Sequence, residues 1–168
     1  MRFSRTIMIA ATAVTLVAAP AAIASAASAS TNADQGSITR LSAAGPWGPK
    51  YSTGKKSVAR GTLFSSDVDK AHIPTVSTVR VKGTITDRTT GSGCGWAVFR
   101  ITYRKSDGSL PFKHRFYLDC SKGSPRPFTF TDRHVALVEL KVCSEPRASE
   151  PTLVCLYANS WKVLHSNL

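Results

Sequence analysis

Apolar and polar residues alternate along most of the chain after residue 56. In the segment 76–86, for example, Val79, Val81 and Ile85 fall on one face, whereas Arg80 and Lys82 fall on the other. A period of two is the pattern of a β-strand with one buried face. Seven segments carry this alternation or a short apolar run, and we predict strands at 57–64, 76–86, 96–105, 112–120, 128–130, 135–143 and 153–164.

Turn-forming residues separate these segments. The pair Asp107–Gly108 predicts the tip of a hairpin, and the nearly continuous apolar run at 135–143 predicts a central strand. No segment shows a helical period with capping residues. The pattern therefore predicts an all-β domain over 57–168, an antiparallel immunoglobulin-like β-sandwich of about seven strands.

The first residues have the pattern of an export signal. Arg2 and Arg5 precede an apolar run over 6–18, and small residues with Ala-x-Ala spacing follow it. This order is typical of a secretory signal peptide, which we place at 1–29. The apolar run is shorter than the ~20 residues that a spanning helix needs, so we expect a secreted, extracellular protein without a membrane span.

Residues 30–56 are rich in Ala, Ser, Gly, Thr and Pro and poor in branched aliphatic residues. Such a composition predicts a flexible N-terminal arm. Ile38 and Leu41 are its sparse apolar side chains, and they would anchor the arm to a partner protein by adding it as a strand.

The stretch AAGPWGPKYSTGKK, at the end of this arm, contains two large aromatic residues. Pro46 and Pro49 exclude it from a central strand but allow an edge strand. Trp47 and Tyr51 then have two interpretations: they fold back to cap the open end of the sandwich, or they anchor the arm in a groove of a partner.

The chain is strongly basic, with 22 Lys and Arg residues against 10 Asp and Glu residues and a formal net charge of +12. Such a surface attracts anions, although solubility explains it equally well. We assign Lys55 and Lys56 to the basic surface, and we expect weak contact with an anionic cell wall and no specific nucleic acid.

Four cysteines in an exported chain predict two disulfides. A two-residue turn at 107–108 would pair residues whose numbers sum to 215, and Cys94 and Cys120 sum to 214. The midpoint between Cys143 and Cys155 is residue 149, which falls in the loop SEPRASEP. These two cysteines would therefore also face each other across a hairpin. We therefore predict the pairs Cys94–Cys120 and Cys143–Cys155 among the three possible pairings. The sequence contains no Cys-x-x-Cys pair, so the cysteines do not indicate a zinc site.

No nucleophile or metal motif predicts catalysis, and we expect no catalytic residue, no metal and no cofactor. Two alternatives stay open. A cationic ribonuclease-like toxin would use two of His72, His114, His134 and His165, or one of them with Glu139. A secreted protease inhibitor would present Arg147 on the loop between Cys143 and Cys155.

Several features together resemble a known group of proteins. They are the Ala/Ser-rich leader, the four cysteines and the segments GPWGPKYSTGKKSVARGTL, VALVELKVC and LVCLYANSW. The mature chain is similar to the small secreted β-sandwich adaptor subunit of actinobacterial umbrella toxin particles. The resemblance implies a non-enzymatic adaptor in an antibacterial particle, whose arm inserts into a lectin-like subunit while its globular part holds a large toxin chain.

Overall fold

The computed structural model describes residues 42–158 and 160–168. The predicted signal peptide at 1–29, the first part of the predicted arm at 30–41, and the anchors Ile38 and Leu41 lie outside the described residues. The elements in chain order are β1 (Ser42–Tyr51), a 3-10 turn (Thr53–Lys55), β2 (Ser57–Asp69), β3 (Val76–Asp87), β4 (Gly93–Tyr103), β5 (Phe112–Asp119), β6 (Arg126–Pro146), α1 (Leu153–Tyr157) and β7 (Lys162–Ser166).

All strand pairs are antiparallel, and the strands join in the order β1-β2-β3-β6-β4-β5, with β7 on β6. The long strand β6 connects two halves of this sheet. Its residues 126–135 pair with β3 and its residues 135–146 pair with β4. His134, with φ at 56°, marks the bend between the two parts.

The sheet folds over on itself and encloses one main core. Trp47 of β1 meets Phe99 of β4 edge-to-face, with ring centroids 6.1 Å apart, although three strands separate β1 from β4 in the sheet. Val81 and Ile85 of β3 are fully buried in the same cluster. The predicted antiparallel all-β fold is thus confirmed. The immunoglobulin-like sandwich is not confirmed, since the described strands form one continuous sheet.

The alternation of the sequence accounts for most of these strands. β2 and β3 cover the segments predicted from the period of two, and β4 and β5 overlap theirs but end one or two residues earlier. The run at 135–143 is central, between β4 and β7. The short strand predicted at 128–130 is joined to it as part of β6. The tip of the β4–β5 connection is one residue longer than the predicted two-residue turn, because Lys105 N–H donates to Ser109 C=O at 3.0 Å and leaves the three residues 106–108 between them.

Trp47 determines where the arm ends and the domain begins. Its indole is 8% exposed and stacks on Phe128 with centroids 6.2 Å apart. Two facing glycines make room for it, since a Cβ atom at Gly61 would lie 2.6 Å from the indole and one at Gly83 would lie 2.9 Å away. Within the flexible arm predicted at 30–56, the part Ser42–Tyr51 therefore needs correction, because it is the edge strand β1, held by Trp47 in the core.

Both predicted disulfides are confirmed. Cys94–Cys120 lies just beyond the last β4–β5 pair, Gly95–Asp119, whose residue numbers also sum to 214. Cys143–Cys155 is correct as a pairing, but its predicted geometry is wrong. Cys155 lies on a helix, so the bond joins β6 to α1 rather than two strands of a hairpin.

Candidate partner-binding surface

The helix α1 replaces the first half of the strand predicted at 153–164. Thr152 begins it, because its hydroxyl accepts a hydrogen bond from Cys155 N–H at 3.3 Å. Glu145 in turn accepts from Thr152 N–H at 2.9 Å and from the Thr152 hydroxyl at 2.6 Å. This cap competes successfully with the strand pattern of the segment.

A five-residue helix is not stable alone, and its other end is held as well. Lys141 on β6 donates from Nζ to the carbonyl oxygens of Leu156 and Ala158, at 2.9 and 2.7 Å. Burial and, next, the charge of Arg100 lower the pKa of Lys141. Together with the Cys143–Cys155 bond, these contacts fix α1 on the outer side of β6.

The inner side of α1 covers a second, smaller core. Cys155 packs there with Trp96 and Val98, which are buried on the outer face of β4, and Trp161 closes its edge. The Trp161 ring lies 4.7 Å from the Arg100 guanidinium carbon.

Polar partners fix this rim of the second core. The Trp161 ring stacks on His114 with centroids 5.8 Å apart and an interplanar angle of 8°. Arg100 Nε donates to Glu139 Oε2 at 2.7 Å. The buried surroundings and, next, the charge of Arg100 lower the pKa of His114.

The outer side of α1 is apolar and exposed. Leu153 and Val154 are each 70% exposed, and Tyr157 is 76% exposed. Leu153 and Tyr157 are four residues apart, so they lie on the same side of the turn. We call these three residues the α1 face. Large apolar side chains so exposed on a covalently fixed element are typical of a contact site for another molecule.

A basic cleft adjoins the α1 face. Its volume is about 570 Å³, and residues of β1, the 3-10 turn, β6 and α1 line it, including Val154 of the α1 face. Four lysines, Lys50, Lys56, Lys141 and Lys162, also line it, against the single carboxylate of Glu145 among the described residues. We call it the lysine cleft. An apolar patch beside a basic cleft suits a partner with an apolar contact bordered by acidic groups.

The residues predicted to bind a partner do not all lie together. Trp47 is in the core, so it is not free to anchor a partner, and its role as a binding residue is corrected. Tyr51 is 44% exposed and lines the lysine cleft, with Lys55 Nζ 5.9 Å from its ring centroid. Lys55 and Lys56 are both exposed, as expected of a basic surface.

Sequence reasoning missed the α1 face. The prediction of a strand over 153–164 includes the residues that form this helix. Thr152 is a residue type that caps helices, and it was the available signal because it lies three residues before the amide that it caps, Cys155 N–H.

The four histidines are divided among different places. His114 stacks on Trp161, and His165 Nε2 lies 3.1 Å from the Ser77 hydroxyl. His72 and His134 line one cavity. In the described part of the chain, no group of three or more His, Cys, Asp or Glu residues is arranged to hold a metal ion.

Residues 42–158 and 160–168 contain no helix long and apolar enough to cross a membrane. No protein-family model, curated protein or solved structure matches this chain.

Proposed function

We propose that the protein is a secreted, non-enzymatic adaptor that binds larger secreted proteins, and that the α1 face is its main contact. The observation that carries the proposal is the exposure of Leu153, Val154 and Tyr157 on an element fixed by a disulfide. A fixed apolar surface loses little conformational entropy on binding, which favours affinity. The partners we propose are a lectin-like subunit and a large toxin chain of an antibacterial particle.

Magnitudes favour an apolar contact over a purely ionic one. Burying an exposed Leu or Val side chain is worth about 1.5–3 kcal/mol before ordering costs. Exposed charges are screened over ~8 Å at physiological salt, so the lysine cleft steers the encounter more than it holds the complex. Residues 30–41, with Ile38 and Leu41, provide a second contact in this proposal.

Affinity capture from spent culture medium tests the proposal. The secreted form is immobilised, and captured proteins are quantified by mass spectrometry. We compare it with the double variant Leu153→Ser/Tyr157→Ser, which removes most of the α1 face. The matched control is Phe64→Ser/Val68→Ser, because these side chains are also apolar and exposed but lie on β2.

The proposal requires the same larger secreted proteins to be retained by the wild type and by the β2 control, and to be lost with the α1 variant. Equal capture by all three proteins, or capture of no larger protein by the wild type, would contradict it. Circular dichroism must first show that the variants keep the folded sheet.

A protease inhibitor is the second candidate, because Arg147 is exposed on a loop closed by Cys143–Cys155 and tied at its base by Glu145 to Thr152. Such a loop would place an arginine in a trypsin-like specificity pocket. An assay with trypsin decides between the two: an inhibitor blocks the enzyme and loses this effect with Arg147→Ala, whereas an adaptor has no effect on it.

A further inference from the structure

A second cavity, of about 510 Å³, brings together ionisable side chains from three parts of the chain. Asp69 ends β2 and His72 follows it, Arg104 and Lys105 begin the connection after β4, and His134 lies at the bend of β6. None of the residues that line this cavity belongs to the α1 face or the lysine cleft.

Arg104 is held in the wall of this cavity. Its backbone N–H donates to the carbonyl oxygen of His134 at 3.0 Å, and its side chain is 10% exposed. Its guanidinium meets Asp69 Oδ2 at 3.7 Å, a distance of an ion pair but too long for a hydrogen bond. A guanidinium has five N–H donors, so donors remain for an anion in the cavity.

Asp69 orients the site without neutralising it. Its Oδ1 accepts a hydrogen bond from Ala71 N–H at 2.9 Å, and its Oδ2 lies 3.3 Å from His72 Nδ1. The Ala71 bond is the main cause of a lowered pKa of Asp69, which keeps this carboxyl group ionised. The lining of the cavity thus carries one carboxylate, that of Asp69, against the permanent cations of Arg104 and Lys105, together with the rings of His72 and His134.

We propose that this cavity binds a phosphate-type oxyanion, with Arg104 as the principal ligand and Lys105, His72 and His134 around it. The planar guanidinium of arginine donates two parallel hydrogen bonds to two oxygens of a phosphate group, and hydrogen bonds from charged donors are the strongest ones. The cavity exceeds the size of one phosphate, so it accommodates a phosphate group attached to a larger molecule. This inference is independent of the adaptor function.

Titration of the folded protein with inorganic phosphate and, separately, with dimethyl phosphate tests the inference. Amide NMR shifts of Arg104, Lys105 and His134 report binding. Saturable shifts are expected with at least one compound. Binding of inorganic phosphate alone would indicate that the natural ligand is a free phosphate or a phosphate monoester, whereas binding of dimethyl phosphate would indicate a phosphodiester of a polymer.

Arg104→Gln should weaken the binding about tenfold or more, as the loss of a charged hydrogen bond predicts. The matched control is Arg133→Gln, which removes the same charge from an exposed neighbour outside the cavity and should change affinity by no more than about twofold. Unsaturable shifts with both compounds, or equal weakening by the two variants, would overturn the proposal.

His72→Gln keeps the test decisive if Arg104→Gln fails to fold, because the His72 side chain is 60% exposed. This variant removes a ring nitrogen that borders the cavity, and it should weaken the binding of the saturating compound about threefold or more at constant pH. An affinity that is unchanged in His72→Gln would overturn the placement of the anion in this cavity.

Discussion

Trp47 shows how one side chain can determine the extent of a domain. Its neighbours in sequence, with Pro46 and Pro49, have the composition of a mobile segment, and the edge position was the only strand position that the prolines allowed. What the sequence could not show is the space for the indole, because Gly61 and Gly83 are distant along the chain and meet only when β2 pairs with β3.

We expect Trp47→Ala to lower the free energy of unfolding by about 3–5 kcal/mol, because it leaves a cavity among Phe99 and Phe128. Tyr51→Ala, four residues away on the same strand, should cost less than about 1 kcal/mol because its ring is much more exposed. Urea denaturation of the two variants measures the difference. Equal, small effects would mean that the indole is not part of the core.

Two histidines should make the stability of the fold depend on pH. Burial lowers the pKa of His165, and burial followed by the charge of Arg100 lowers the pKa of His114, each from 6.5. The unfolded chain therefore binds protons first as the pH falls. The stabilisation is complete above about pH 6.5 and is lost as the pH falls through the lower values of the folded state.

The melting temperature should accordingly be lower at about pH 5.5 than at about pH 8. His165→Gln should show a smaller difference between the two conditions than the wild type. Hydrogen bonds to Ala71 and Ser109 are the main causes that lower the pKa values of Asp69 and Asp107 from 3.8. These two carboxyl groups therefore stay ionised at both pH values and do not contribute to the difference. A melting temperature that rises on acidification would contradict this account.

At the scale of elements, strands were predictable where one face is buried and the other is exposed to solvent. β3 is the clearest case, since its alternation of Val79, Arg80 and Val81 directly reflects core and solvent. β6 was harder, because the polar residues at its bend, around His134, resemble a break between two strands. α1 was missed because one capped turn is too short to produce a helical period.

The two disulfides should contribute differently. Closing a loop typically adds about 2–4 kcal/mol, and the longer loop of Cys94–Cys120 should add about 0.7 kcal/mol more than that of Cys143–Cys155. We expect Cys143→Ser/Cys155→Ser to fold but to bind partners weakly, because α1 loses its covalent attachment. Cys94→Ser/Cys120→Ser should be the less stable variant but should keep its α1 face. Thermal melts measure the stability of the two variants, and the capture assay measures their binding. Weaker binding by Cys94→Ser/Cys120→Ser, or lower stability of Cys143→Ser/Cys155→Ser, would contradict this expectation.

At the scale of the whole molecule, the folded sheet supports two surfaces that share no residue. The α1 face and lysine cleft use the outer side of β6, and the cavity proposed to bind an oxyanion uses the bend of the same strand together with the ends of β2 and β4. The all-β class and both cysteine pairings were predictable, since they depend on local alternation and spacing. The surfaces were not, because each combines residues that pairing brings together from remote segments.

Hydrogen–deuterium exchange of the free protein and of its captured complex tests the central claim most directly. In the free protein, the amides of Leu156 and Ala158 bond only within one short turn, to Thr152 and Val154, and should exchange faster than the amides of the paired strand β2. The account predicts that binding slows exchange across Leu153–Tyr157, while exchange of β2 (Ser57–Asp69) does not change. Unchanged exchange of α1 in a complex that protects another surface would contradict the account.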